Sequence, residues 1–166
     1  MPAFSFKERF VPMVKDGSKP GTIRAFRKYP IKVGQLAHLF YGMRTKYCTK
    51  LIDPSPVIRE TRCVLLTAKG ILYLFETNWI APALREEILN GRGFSEVGNW
   101  KGTKNINEKD RFAWEDGFRH SDAPLQQDGC FEIMLRYWKQ NNGLPFIGTH
   151  TLWGESKISV NKHYTE

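Results

Sequence analysis

The chain has 166 residues, 41% apolar and 13% aromatic, with 25 Lys/Arg against 17 Asp/Glu and a formal net charge of +8. That length and apolar content exclude disorder and suit one domain with a real core. No apolar run is long enough to span a bilayer and the N-terminus lacks a secretory apolar stretch, so a soluble, cytoplasmic protein without membrane contact is expected.

Residues 3–6 alternate and open a strand. Phe10, Val11, Met13 and Val14 then recur at helical spacing up to Asp16-Gly17, where glycine accepts the left-handed conformation that ends helices. Pro12 fits only the first turn of such a helix. After a turn over 17–21, residues 22–26 read as extended. Val33-Gly34-Gln35 turns the chain into a strand over 36–41. Residues 57–67 and 70–76 predict two strands of a hairpin joined near Ala68-Lys69-Gly70, with apolar runs dense enough for burial on both faces.

A helix is predicted over 82–90, with Leu84, Ile88 and Leu89 inward. Residues 91–110 are polar and rich in Gly and Asn, like an insertion, and 108–114 form a further short helix. Phe131, Met134, Leu135 and Trp138 fall at i, i+3, i+4 and i+7, the clearest helical stripe in the chain. Asn141-Asn142-Gly143 ends it, and 146–153 supply a closing strand. One domain over 1–156 and a polar tail over 157–166 follow. Distant strands with helices between them suit nonlocal antiparallel pairing better than a doubly wound parallel sheet.

Charge is concentrated. Residues 1–50 hold 11 Lys/Arg against 2 Asp/Glu, and the other 116 hold 14 against 15. Within that segment Arg24, Arg27, Lys28, Lys32, Arg44, Lys46 and Lys50 interleave with Phe26, Tyr29, Phe40, Tyr41 and Tyr47. Cations beside aromatics suit phosphate contact with base stacking. The plainer alternative is a solvated cationic rim around aromatics that all point inward. Cys48, Cys63 and Cys130, like His38, His120, His150 and His163, are scattered, so neither a disulfide framework, a metal site nor a cofactor is expected. Trp114, Trp138 and Trp153 read as core.

Phe6-x-x-Arg9-Phe10, Gly17-x-Lys19-x-x-Thr22-Ile23-Arg24, Val33-Gly34-Gln35 before Leu39-Phe40-Tyr41, Gly42-Met43-Arg44-Thr45-Lys46 and Glu115-Asp116-Gly117-Phe118 together resemble the ASCH domain of the PUA-like superfamily. The likeness covers most of residues 4–153. It implies an α+β fold: a twisted β-barrel of mostly antiparallel strands, helices packed around it, and a cleft between the wall and the first helix. It also implies a ligand that is RNA, other single-stranded nucleic acid or a modified nucleoside, with Arg9, Arg24, Tyr41, Arg44, Lys46 and Asp116 as binding residues.

One branch of that family hydrolyses N4-acetylcytidine, and by position Lys19 matches its lysine base and Thr22 its threonine nucleophile. Glu115 is the preferred acidic partner, with Asp116 its close competitor. The chemistry needs a lysine whose free amine is populated, which burial and nearby cations favour. Pro20-Gly21 departs from the plainer pair expected before the threonine. Three functions follow in order: an RNA- or nucleotide-binding module, an amidohydrolase, and a domain whose cations meet an acidic protein.

Overall fold

The computed structural model describes residues 1–66, 72–75 and 106–155, without the side chains of 61–66, 72–75 and 106–108. The expected helix over 82–90, the turn at 68–70, most of the insertion-like stretch and the tail lie outside these residues.

Eight strands and three α-helices are described. β1 (Ala3–Phe6), β3 (Leu36–Tyr41), β4 (Thr49–Lys50) and β5 (Ser55–Pro56) make one sheet, and β2 (Gly21–Arg24), β8 (Phe146–Leu152), β6 (Arg59–Leu66) and β7 (Leu72–Phe75) make the other in that order. Pairing is antiparallel apart from β1 with β3, which run parallel with Phe4 opposite Leu39. The fold is thus α+β, and the hairpin of β6 and β7 forms as its pattern predicts. The two-residue strands β4 and β5 have too few residues for alternation to reveal them.

The described ladders do not join the two sheets. Instead, two arginines from the β2 side serve the outer edge of β1. Arg24 Nη2 donates to the Ser5 carbonyl at 2.7 Å and Arg27 Nη2 to the Ala3 carbonyl at 2.9 Å. Successive residues of a strand point their carbonyls to opposite edges, and Pro2 gives its carbonyl to the His38 amide of β3, so those of Ala3 and Ser5 face away from β3. Guanidinium groups with several donors satisfy an edge that would otherwise remain open.

Phe10 lies in a single 3₁₀ turn (Glu8–Phe10) leading into α1 (Val11–Lys15), and Pro12 occupies its first turn as expected. Gly17 follows with φ +78°. α2 (Ile106–Glu115) stops where Gly117 adopts φ +93°. A Cβ there would stand 2.8 Å from Phe10 Cδ1 and 3.3 Å from Lys19 Cδ, so glycine is what lets the helix end close onto the first helical segment. α3 (Cys130–Asn141) is tied to α2 by Asp110, whose Oδ1 accepts the Phe131 amide at 2.9 Å. The stripe of Phe131, Met134 and Trp138 joins Phe4, Phe6, Phe10, Ile23, Leu39, Phe112 and Phe118 in one buried cluster. Each such side chain contributes about 1.5–3 kcal/mol through burial.

Candidate functional site

β2 runs beside β8, and the contact is unusually close. Thr22 pairs with Thr151 and Arg24 with Thr149. A Cβ on Gly148 would stand 2.1 Å from the Arg24 carbonyl oxygen, so only glycine admits this approach. Before the strand, the Pro20 carbonyl accepts the amides of Trp153 at 2.9 Å and Gly154 at 3.1 Å. Pro20-Gly21 therefore pins the segment to the end of β8, leaving Lys19 on one side of it and Thr22 and Arg24 on the other. Thr22 and Arg24, two apart on a strand, share a face.

These residues line one cavity of about 490 Å³, within the range of small-molecule sites. Its polar wall includes Ser5, Lys7, Lys19, Thr22, Arg24 and Asp116. Phe6, Phe10, Phe118, Tyr137, Trp138 and Phe146 supply aromatic walls.

At its base Lys19, only 2% exposed, meets Asp116. Its ammonium nitrogen lies 2.5 Å from the Asp116 carboxylate and also donates to the Asp116 backbone carbonyl. The same nitrogen stands 5.1 Å from the centre of the Phe10 ring and 6.0 Å from that of Phe6. Burial pushes the lysine down toward its free amine; Asp116 opposes this, while Arg24 and Arg119 push the same way as burial. Burial likewise pushes the Asp116 carboxyl up, against the pull of Lys19 and Arg24. In both groups desolvation works against the charged form, while each partner favours the charge of the other.

Arg24 spans the wall, its guanidinium 5.4 Å from the Phe6 ring centre and bonded to Ser5. Its Nε, like Nε1 of Trp138, is buried without a hydrogen-bond partner among the described residues. A buried unpaired donor costs about 1–3 kcal/mol, and both of these belong to residues of the cavity wall.

Comparison with family models, with curated proteins and with solved structures returns no match for this chain.

The structure brings Lys19, Thr22, Arg24 and Asp116 together and leaves other expected residues elsewhere. Glu115 does not line the cavity. It borders a void too tight for a ligand, shared with Gly21, Phe112 and His150, and lies 3.8 Å from Arg111 Nε. The helix turns about 100° between neighbouring residues, so Glu115 and Asp116 face different sides, and Asp116 is the acid of the cavity.

Arg9 is exposed and lies against the outer side of the aromatic wall, 5.3 Å from the Tyr137 ring centre, rather than inside. Tyr41 packs half-buried against the core. Arg44, at φ +69°, and Lys46 sit on an exposed turn after β3; this turn is held to the cavity rim by the Met43 amide donating to Ser5 Oγ at 3.2 Å.

The basic segment is not a rim around inward-facing rings. Tyr29 is 75% exposed and Tyr47 64%, each with the preceding lysine against it: Lys28 at 5.4 Å and Lys46 at 5.0 Å from the ring centre. Phe26, Phe40 and Tyr41 are at least partly covered.

Sequence reasoning missed Ser5, Tyr137, Asn141 and the lining role of Trp138. Tyr137 and Asn141 stand four apart beside the apolar stripe of α3, a spacing that marks one helix face but not what it faces. Among the described residues no cluster of three His, Cys, Asp or Glu is placed to hold a metal ion, and no helix is long and apolar enough to cross a membrane.

Proposed function

We propose that the cavity binds a single nucleotide unit and that single-stranded RNA is its source. The observation that carries this is the convergence of Lys19, Thr22, Arg24 and Asp116 on one aromatic-walled hollow of about 490 Å³. Flat rings suit a flat base, and the polar side chains of Lys19, Thr22 and Arg24 suit the groups on its edge. Outside, the Lys28–Tyr29 and Lys46–Tyr47 pairs offer stacking and phosphate contact to neighbouring nucleotides. The reading agrees with the resemblance to ASCH domains, in which the two sheets would be walls of a PUA-like barrel and the arginine-bridged β1 edge its seam.

The test is equilibrium binding of a fluorescent single-stranded RNA and of free nucleosides. Affinity for RNA is expected to fall steeply with salt. Ala25→Trp, at an exposed lining position, should block the hollow and abolish binding of the small ligand. Wild type that binds neither RNA nor any nucleoside would sink the proposal, as would nucleoside affinity untouched by the tryptophan.

A second reading is favoured by the buried lysine. Burial pushes Lys19 toward the free amine that a base requires, and Thr22 lines the same hollow. In an amidohydrolase acting on N4-acylated cytidine, Lys19 would take the Thr22 proton as Oγ attacks the acyl carbon. Return of that proton to the departing amine would leave an acyl-threonine for water to hydrolyse. Asp116 takes the place expected for Glu115. Turnover of N4-acetylcytidine that vanishes in Thr22→Val, with the fold intact, would support it. No turnover by pure wild type across acylated cytidines would leave binding alone.

A further inference from the structure

The mouth of the cavity and the outer side of its Tyr137 wall carry positive charge that the described residues do not neutralise. Lys7 lines the mouth, its ammonium 5.1 Å from the Tyr137 ring centre, with a hydrogen bond to Asn141 Oδ1 at 2.9 Å. Arg9 lies against the same ring at 5.3 Å, and against Phe10 at 5.2 Å and Phe118 at 5.6 Å. Among the described residues neither cation forms an ion pair with a carboxylate. Two like charges on one ring repel each other, which a nearby anion would relieve.

The deep cations are already occupied. Lys19 is bonded to Asp116 and Arg24 to Ser5. Lys19 and Asp116 balance each other and suit an uncharged polar group, Arg24 keeps its charge half-buried, and the exposed positive charge sits with Lys7 at the entrance and Arg9 just outside. Arg9 is also held beside three rings, and a guanidinium is the group that can grip a phosphate with two parallel bonds. Lys7 spends one donor on a neutral amide oxygen and keeps two.

We propose that Lys7 and Arg9, seated on Tyr137, form a phosphate subsite, so that the cavity takes a phosphorylated nucleotide, base inward, in preference to the bare nucleoside. This rests on the reading of the cavity as a nucleotide pocket and adds which end of the ligand faces out.

The experiment is calorimetric titration of the full chain with cytidine, uridine, adenosine and guanosine, and with the 3′- and 5′-monophosphate of each. For the base that binds best, at least one monophosphate is expected to bind about tenfold more tightly than its nucleoside, the gain of one charge-assisted contact. The K7Q/R9Q double variant should bring that ratio close to one, and K7R/R9K should restore most of it. Thermal unfolding confirms that each variant is folded, and K7Q alone serves should the double variant fail to fold.

Nucleoside binding that gains less than twofold from either phosphate overturns the subsite and leaves the pocket standing. A preference that survives K7Q/R9Q does the same. If neither nucleosides nor monophosphates bind, the pocket itself is wrong and the subsite falls with it.

Discussion

The cavity and the exposed loops around Tyr29 and Tyr47 draw their cations from the same fifty residues and treat them in opposite ways. Lys19 is nearly sealed from solvent and held by one acid; Lys46 rests on a tyrosine in open water. A buried charge survives only with a partner, so removing either member costs several kcal/mol. A surface lysine contributes little to stability, and its charge remains available to a ligand. Net charge therefore describes the loops, while the cavity is governed by desolvation.

The largest expected break is in the wall between β2 and β8. Gly148→Ala forces a methyl group into the Arg24 carbonyl and should cost about 4 kcal/mol or more in urea unfolding, because the nearest atom, the Arg24 carbonyl oxygen, is backbone and cannot rotate away. A loss below 1 kcal/mol would mean that the strands can part without harm.

Next comes the ion pair. Lys19→Met leaves the Asp116 carboxyl buried alone and should cost about 3 kcal/mol. Adding Asp116→Asn should cost less than the sum of the two single changes. Strict additivity would show that the pair is not coupled.

His150 sharpens the contrast through pH. It is buried against Phe112, with ring centres 5.0 Å apart. Burial first, then Lys19 and Arg59, push it down to about 3 from the ordinary 6.5. Above pH 6.5 the ring is neutral in both folded and unfolded chains. Below it only the unfolded chain takes the proton, so stability is lost as pH falls from 6.5 toward 3, by up to about 1.4 kcal/mol per unit. Urea midpoints at pH 7, 6 and 5 should show this slope, and His150→Gln should flatten it.

The smallest stability effect belongs to the loops. Tyr29→Ala with Tyr47→Ala should move stability by less than about 0.5 kcal/mol. The same change should weaken single-stranded RNA binding at least fivefold, since base stacking is worth about 1–3 kcal/mol per base. Unchanged RNA affinity would confine recognition to the cavity.

Much of this architecture was legible in the chain. The α3 stripe, the β6–β7 hairpin and the turn at Gly17 follow from local periodicity and from glycine's conformational freedom. The cluster of Lys19, Thr22 and Arg24 was also legible, because a short strand carries alternate residues on one face. The choice between Glu115 and Asp116 was not. Adjacent acids look alike in a sequence, and which one faces the hollow depends on where Gly117 ends α2 against Phe10. Arg9 shows the converse: its place in a motif was readable, but its position outside the aromatic wall was not.

The sequence by itself determined the longer elements, the concentration of positive charge and the residue types available for chemistry, because these depend on neighbours along the chain. Only the tertiary structure decided which charges are buried and paired, that Arg24 and Arg27 serve the edge of β1, and that α3 supplies Tyr137 to the cavity. Those outcomes depend on segments far apart in the chain, such as Lys19 and Asp116 at a separation of 97 positions, meeting under desolvation that no local pattern encodes.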